Sequence, residues 1–145
     1  MLTDPFGTSA LTRRIIGCAI SVHDFIGPGV FENVYAECLA YELRARGLAF
    51  EKAVPAPIVY KGRRLGSTYY IDIVVEARVV VELKAVTALA EVHRRQVLTQ
   101  LKLANLPVGL LVNFNVETLT KGGVRRVVNP KFADHVGEIV DERCD

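Results

Sequence analysis

The order of three segments in the middle of the chain most constrains the fold. Residues 79–86 and 108–114 are apolar runs rich in valine and leucine, and residues 89–104 between them repeat apolar side chains at helical spacing. A strand followed by a helix and a second buried strand favours a right-handed parallel crossover. This order predicts a sheet with at least one parallel pair of strands and with helices packed on it.

The segments on either side extend this prediction. Helical periodicity at residues 9–25 and 30–46 predicts two helices before the sheet, separated by Gly27, Pro28 and Gly29. Residues 50–59, with two prolines, predict an edge or bulged strand, and the short link 76–78 predicts a hairpin of strands 69–75 and 79–86. Residues 124–128 are a further candidate strand, and residues from 130 onward predict a weak helix or tail. We therefore expect an α/β fold with a mixed β-sheet flanked by α-helices.

Composition limits the classes of protein to consider. The 145 residues, 50% hydrophobic and 23% charged, suit one domain with one substantial core. No stretch approaches about 18 uninterrupted apolar residues, and the first residues do not resemble a signal peptide, so no membrane segment is expected. Three widely spaced cysteines indicate neither disulfides nor a zinc site, and favour a cytoplasmic location. The net charge of +2 neither requires nor excludes a polyanionic partner.

Three charged side chains interrupt the apolar strands: Asp72, Glu82 and Lys84. Side chains alternate along a strand, so Glu82 and Lys84 face the same side about 7 Å apart, and the hairpin would bring Asp72 beside Glu82. Two carboxylates beside an ammonium can hold a divalent cation, with the lysine orienting or deprotonating a water molecule. A partly buried salt bridge of Lys84 with either acid also explains this spacing, so both interpretations stay open.

Two further polar features accompany this cluster. Glu32 lies on the second helix, in line with its buried side, and is either another acid at a metal or a surface acid that stabilises the helix N-terminus. On the later helix His93, Gln96 and Gln100 form a polar stripe. This stripe is either the solvated face or, through Gln96, a contact to the strand site. His93 has no partner at a metal-ligand spacing, so we expect no metal role for it.

Five segments join these features in order along the chain. They are Gly29-x-x-Glu32-x-x-Tyr35, Tyr70-Ile71-Asp72, Val81-Glu82-Leu83-Lys84-Ala85-Val86, Gln96 and Gly109-Leu110-Leu111-Val112-Asn113-Phe114. Together they resemble the bacterial GxxExxY protein family, which is similar to a branch of the restriction-endonuclease-like, PD-(D/E)-x-K superfamily. The resemblance covers residues 11–128. Two positions depart from the expected pattern: Ile71 replaces the proline before the first acid, and Gln100 replaces a tyrosine.

The resemblance implies a restriction-endonuclease-like single domain and a metal-dependent nuclease acting on DNA or RNA. It assigns catalytic roles to Asp72, Glu82, Lys84, Glu32 and Gln96. It also implies Mg²⁺ or Mn²⁺ held by the Asp72 and Glu82 carboxylates, the Leu83 carbonyl and Glu32. The alternatives are a catalytically silent nucleic-acid- or protein-binding module, or a polar cluster that serves stability alone. Small nucleases often need a second chain to span a duplex, which makes a homodimer our working expectation.

Overall fold

The elements follow the order that the sequence predicts as far as the fifth strand. The structure is a computed structural model that describes residues 6–135 and 141–143. Its helices are α1 (Thr8–Ile26), α2 (Glu32–Ala45) and α3 (Glu91–Ala104). Its strands are β1 (Phe50–Tyr60), β2 (Arg63–Val75), β3 (Val79–Lys84), β4 (Val108–Asn113), β5 (Val124–Val128) and β6 (Asp141–Arg143). None of the helices in the described part of the chain is long and apolar enough to cross a membrane.

The six strands form one mixed sheet in the order β1-β2-β3-β4-β5-β6. Strands β3 and β4 run parallel, and all other neighbours are antiparallel. The parallel pair is the one connected through α3, because a parallel connection needs a crossover of this length. The predicted hairpin of β2 and β3 and the mixed sheet are therefore confirmed.

Helices cover both faces of the sheet. Helices α1 and α2 pack on one face, where Val79, Val81 and Leu83 of β3 join a large apolar core. Helix α3 packs on the other face, where Val80 joins a second core. Because side chains alternate along a strand, Glu82 follows Val80 onto the α3 face.

Several boundaries differ from the prediction. Strand β2 begins at Arg63 rather than near residue 69, because the polar segment 63–68 pairs with the end of β1, a partner that its own sequence does not reveal. Helix α2 begins at Glu32 because Phe31 has an extended backbone, with φ −71° and ψ 150°. The predicted weak helix or tail includes a 3-10 helix, Pro130–His135, and the unpredicted β6; residues 136–140 and 144–145 lie outside the described residues.

The strands β2 and β3 separate at one end of the sheet. Their pairing runs from Val75 with Val79 to Ile73 with Val81 and ends there. Strand β3 nevertheless stays paired with β4 as far as Lys84. The separation leaves an opening beside the carboxyl end of β3, and Asp72 is the first residue of β2 within it.

Candidate active site

Asp72 occupies the opening between β2 and β3. The Leu83 N–H donates a hydrogen bond of 2.9 Å to Asp72 Oδ2, so a side chain replaces the bond that a neighbouring strand would supply. The N–H and C=O of one residue in a strand point to the same side. The Leu83 carbonyl therefore faces the same opening as the Asp72 carboxylate.

Glu82 lies beside Asp72 and is buried, with 7% of its surface exposed. Gln100 on α3 donates a short hydrogen bond from Nε2 to Glu82 Oε2. Burial raises the pKa of Glu82 to about 8, and the hydrogen bond and charge of Asp72 act in the same direction. The Gln100 hydrogen bond and the Lys84 charge oppose this rise in pKa without cancelling it. In the metal-free protein, Glu82 therefore keeps its proton near neutral pH.

The helix residue that reaches the acids is Gln100, where the sequence indicated Gln96. Gln100 is 3% exposed, and its Oε1 has no partner within the described residues. Gln96 is half-buried, and its side chain makes no hydrogen bond in that part of the chain. The sequence contains a signal for Gln100. This residue lies three positions after Val97 and one before Leu101, and both of those side chains are fully buried. Gln100 therefore belongs to the apolar stripe of α3.

Lys84 follows Glu82 on the same face of β3 and is half-buried. Its charge lowers the pKa of Glu82, so the ammonium acts on the acid electrostatically. Lys84 makes no ion pair with any residue that the structure describes. The salt bridge that the sequence left open as an alternative is thus missing from this region, and the ammonium is free to bind another group.

Glu32 is the first residue of α2, and its exposed side chain reaches the end of β3. The Ala85 N–H donates a hydrogen bond of 3.2 Å to Glu32 Oε1. The turn before α2 is held by Tyr35, whose hydroxyl donates to the Gly27 carbonyl at 2.6 Å and accepts the Val30 N–H at 3.3 Å. The Gly-x-x-Glu-x-x-Tyr segment therefore acts as a unit in which the tyrosine fixes the turn and the glutamate meets the strand.

The surface around the opening is concave. Asp72, Leu83 and Glu32 line one cavity of about 390 Å³, together with Lys52 and Tyr70 of the β1–β2 hairpin. The cavity brings the helix acid to the same open space as the strand acid. A substrate that enters this space would meet carboxylates and a lysine side chain together.

The oxygen atoms at the opening are the donors that Mg²⁺ and Mn²⁺ prefer. Asp72 and Glu82 converge, and the Leu83 carbonyl faces the same space; a cation there would offset the negative charge of Asp72, which adds to the effect of burial on the pKa of Glu82. Among the residues that the structure describes, no three His, Cys, Asp or Glu side chains are grouped so that they could hold a metal ion together. The Nδ1 atom of His93 accepts a hydrogen bond of 2.9 Å from the Ala90 N–H at the start of α3.

One comparison with known proteins identifies a family for the chain. The model of the PD-(D/E)XK nuclease superfamily matches residues 9–127, which include both strand acids and Lys84. The chain belongs to the PD-(D/E)XK nuclease superfamily. Its mixed sheet with helices on both faces is the restriction-endonuclease-like fold that the sequence predicted.

Membership in the PD-(D/E)XK nuclease superfamily indicates a nuclease-like function, and nucleases of this superfamily generally use divalent metal ions. Neither the curated proteins nor the solved structures include a match to the chain. The narrower resemblance to the GxxExxY family stays a prediction.

Proposed function

We propose that this protein is a metal-dependent nuclease that hydrolyses phosphodiester bonds of nucleic acid. The observation that carries the proposal is the convergence of Asp72 and Glu82 at the opening between β2 and β3, beside an unpaired Lys84. Membership in the superfamily supports it, because the matched residues 9–127 include Asp72, Glu82 and Lys84. DNA and RNA are both candidate substrates.

Asp72, Glu82 and the Leu83 carbonyl would hold the ion, with Glu32 joining directly or through water. A bound Mg²⁺ or Mn²⁺ would polarise the phosphoryl oxygen and lower the pKa of a water molecule. The chain itself orients both acids, since the Leu83 N–H fixes Asp72 and the Gln100 amide fixes Glu82. Fixed ligands of this kind reduce the entropy lost when the ion and substrate bind.

Lys84 is the candidate for handling the attacking water. Its ammonium is close enough to lower the pKa of Glu82 yet has no carboxylate partner in the described residues. It can therefore hold and orient a water molecule, or a phosphate oxygen, by donating hydrogen bonds to it. Gln96, half-buried on α3, stays a candidate for a contact to phosphate or base, and a homodimer stays a prediction for duplex substrates.

A nuclease assay tests the proposal. Wild type and Lys84→Ala are incubated with Mn²⁺ or Mg²⁺ and with single- and double-stranded DNA and RNA. We expect the substitution to lower the cleavage rate by about 10²- to 10⁴-fold. Lys102→Ala is the matched control, because Lys102 is an exposed lysine on α3, and its rate should equal that of wild type. Equal rates for wild type and Lys84→Ala on every substrate would contradict the proposal for those substrates.

Metal binding separates catalysis from a catalytically silent binding module. Calorimetry with Mn²⁺ should give saturable binding that Asp72→Asn and Glu82→Gln each weaken. If no such binding occurs, the silent module replaces the nuclease as the better explanation. Saturable binding without cleavage would direct the search to other nucleic-acid substrates.

A further inference from the structure

The β1–β2 hairpin carries positive charge that the chemistry described above does not use. From Lys52 to Ile71 the chain has no aspartate or glutamate and has four cationic residues: Lys52, Lys61, Arg63 and Arg64. None of the four forms an ion pair with another residue of the described ranges. Such a surface attracts a polyanion, because lysine and arginine side chains that neutralise phosphates release the counterions condensed on the nucleic acid.

The same hairpin exposes aromatic rings. Tyr60 and Tyr70 are 60% and 64% exposed, whereas Tyr35 in the core is fully buried. The Lys61 ammonium lies 5.4 Å from the centre of the Tyr60 ring, so cation and ring form one surface. Exposed rings beside cations are the combination that binds single-stranded nucleic acid, since bases stack on the rings and phosphates meet the cations.

The hairpin also leads directly into the site. Tyr70 and Lys52 line the cavity that contains Asp72, and every residue from 59 to 67 is exposed. Strand β2 connects Asp72 to Arg63 without a break, a distance of about 30 Å at roughly 3.3 Å per residue. A nucleic-acid strand lying along this surface would reach the acids without displacing any other element.

We propose that the β1–β2 hairpin is a docking surface for an unpaired nucleic-acid strand, DNA or RNA, whose scissile end it delivers to Asp72 and Glu82. The proposal rests on the nuclease function and names its substrate class. An unpaired strand is required because stacking on Tyr60 or Tyr70 needs a base with a free face, and bases inside a duplex stack on one another. Arg63, opposite Tyr60, and Arg64, opposite Val59, point to the two sides of the hairpin, so the phosphates of the same strand pair with Lys61 and Arg63 beside Tyr60 and with Arg64 where the strand passes around the hairpin.

Binding without turnover tests the tyrosines. Fluorescence anisotropy in EDTA compares labelled oligonucleotides of about 16 nucleotides as single-stranded DNA, single-stranded RNA and duplex DNA. We expect both single strands to bind more tightly than the duplex. Tyr60→Ala and Tyr70→Ala should each weaken single-strand binding at least about fivefold, and the Phe variants should retain it. Tyr41→Ala, which removes a tyrosine 69% exposed on α2, is the matched control and should leave binding unchanged.

The salt dependence of binding tests the cations. Replacing Lys61, Arg63 and Arg64 together by alanine should reduce the slope of log K against log salt by about 2, since each phosphate contact to a single strand contributes about 0.7. Arg13→Ala combined with Lys102→Ala removes two exposed cations from helices and should leave the slope unchanged. An unaltered slope in the hairpin variant would overturn the assignment.

The remaining outcomes keep this proposal distinct from the nuclease. Binding that depends on Tyr60 and Tyr70, with no cleavage when Mn²⁺ is added, leaves the docking surface standing and removes the proposed function. If Tyr60→Ala and Tyr70→Ala cleave single strands as fast as wild type, the nuclease function stands and the docking surface is overturned. Equal affinity for single strands and duplex, or no binding by wild type, overturns the docking surface. A dimer that Tyr60→Ala dissociates, without oligonucleotide binding, would make the hairpin an interface between copies.

Discussion

The end of β3 is flanked on its two sides by polar side chains that replace backbone pairing. On the β2 side, Asp72 accepts the Leu83 N–H at 2.9 Å. On the β4 side, Asn113 Oδ1 accepts the Val86 N–H at 3.0 Å and Asn113 Nδ2 donates to the Val86 carbonyl at 2.9 Å. Both side chains extend the sheet beyond its last paired residues.

The β2 side and the β4 side of β3 differ in how many of their buried polar groups have hydrogen-bond partners. Asn113 is 1% exposed and uses both ends of its neutral amide. Asp72 instead adjoins the buried Glu82, whose pKa is raised, and Gln100, whose Oε1 has no partner among the described residues. A satisfied neutral pair stabilises a fold, whereas a buried acid beside a second acid and an unpaired acceptor is typical of a functional site. The predictions that follow test this division.

The largest expected effect is on metal binding through Glu82→Gln. The substitution removes a negative ligand, so we expect Mn²⁺ affinity to fall at least about 100-fold. The metal-free protein should become more stable near neutral pH, because the amide needs no proton, whereas Glu82 must take one up on folding to be buried beside Asp72. Calorimetry gives the affinity, urea unfolding gives the stability, and the exposed Glu117→Gln is the control. Unchanged Mn²⁺ affinity would mean that Glu82, like Asn113, serves only the stability of the fold.

On the β4 side, Asn113→Ala should affect stability. The Val86 N–H would lose its partner and the Val86 C=O the stronger of its two, which we expect to lower the free energy of unfolding by about 2 kcal/mol. Asn115→Ala is the matched control with a smaller loss, because its amide makes one weaker bond of 3.4 Å to the Val86 carbonyl. Urea unfolding of both variants gives the comparison. A loss of Mn²⁺ affinity in Asn113→Ala at unchanged stability would reverse the assignment.

The two sides should also differ in their response to pH. Folded Glu82 keeps its proton up to a pKa of about 8, whereas in the unfolded chain its pKa is near the ordinary 4.5. The folded state therefore binds more protons between these values. The contribution of Glu82 to the stability of the metal-free protein should be largest below pH 4.5 and fall as pH rises toward 8, by roughly 1.4 kcal/mol per pH unit at most. Unfolding measured across this range should lose that slope in Glu82→Gln but keep it in Asn113→Ala.

The smallest expected effect comes from Tyr35→Phe. This change removes the hydroxyl that holds the turn before α2 but keeps the ring that stacks on Phe114, with ring centres 4.3 Å apart. We expect a loss of about 1 kcal/mol in the free energy of unfolding, the usual value for a hydrogen bond. Tyr41→Phe on the exposed side of α2 should show no loss. The Tyr35 hydroxyl, like the Asn113 amide, has all its hydrogen bonds within the protein, so we assign it a role in stability. A large drop in Mn²⁺ affinity with unchanged stability would contradict that assignment.

The sequence predicted most elements because helical and strand periodicities are local properties. It predicted the hairpin of β2 and β3 and the parallel β3–β4 pair, since the link at 76–78 and the helix at 89–104 are visible in the chain. It missed the first part of β2 and all of β6, because these segments become strands only by pairing with distant partners.

The site was predicted less completely than the fold. The positions of Asp72 and Glu82 follow from alternation and hairpin pairing, and the structure brings these two acids together. That Gln100 rather than Gln96 reaches Glu82 depends on how α3 is rotated against the sheet, which the apolar stripe of Val97 and Leu101 indicates but does not determine. The bond of Leu83 to Asp72 likewise depends on where β2 separates from β3.

That separation also gives the protein two spectroscopic reporters. The amide of Leu83 is bonded to Asp72 and the amide of Ala85 to Glu32, so neighbouring positions of one chain segment sense different acids. In a ¹H–¹⁵N spectrum, the Leu83 resonance should follow the charge and ligation of Asp72, and the Ala85 resonance those of Glu32. A diamagnetic Mg²⁺ titration that shifts Leu83 alone would locate the ion at the strand acids, and one that shifts both would include the helix acid.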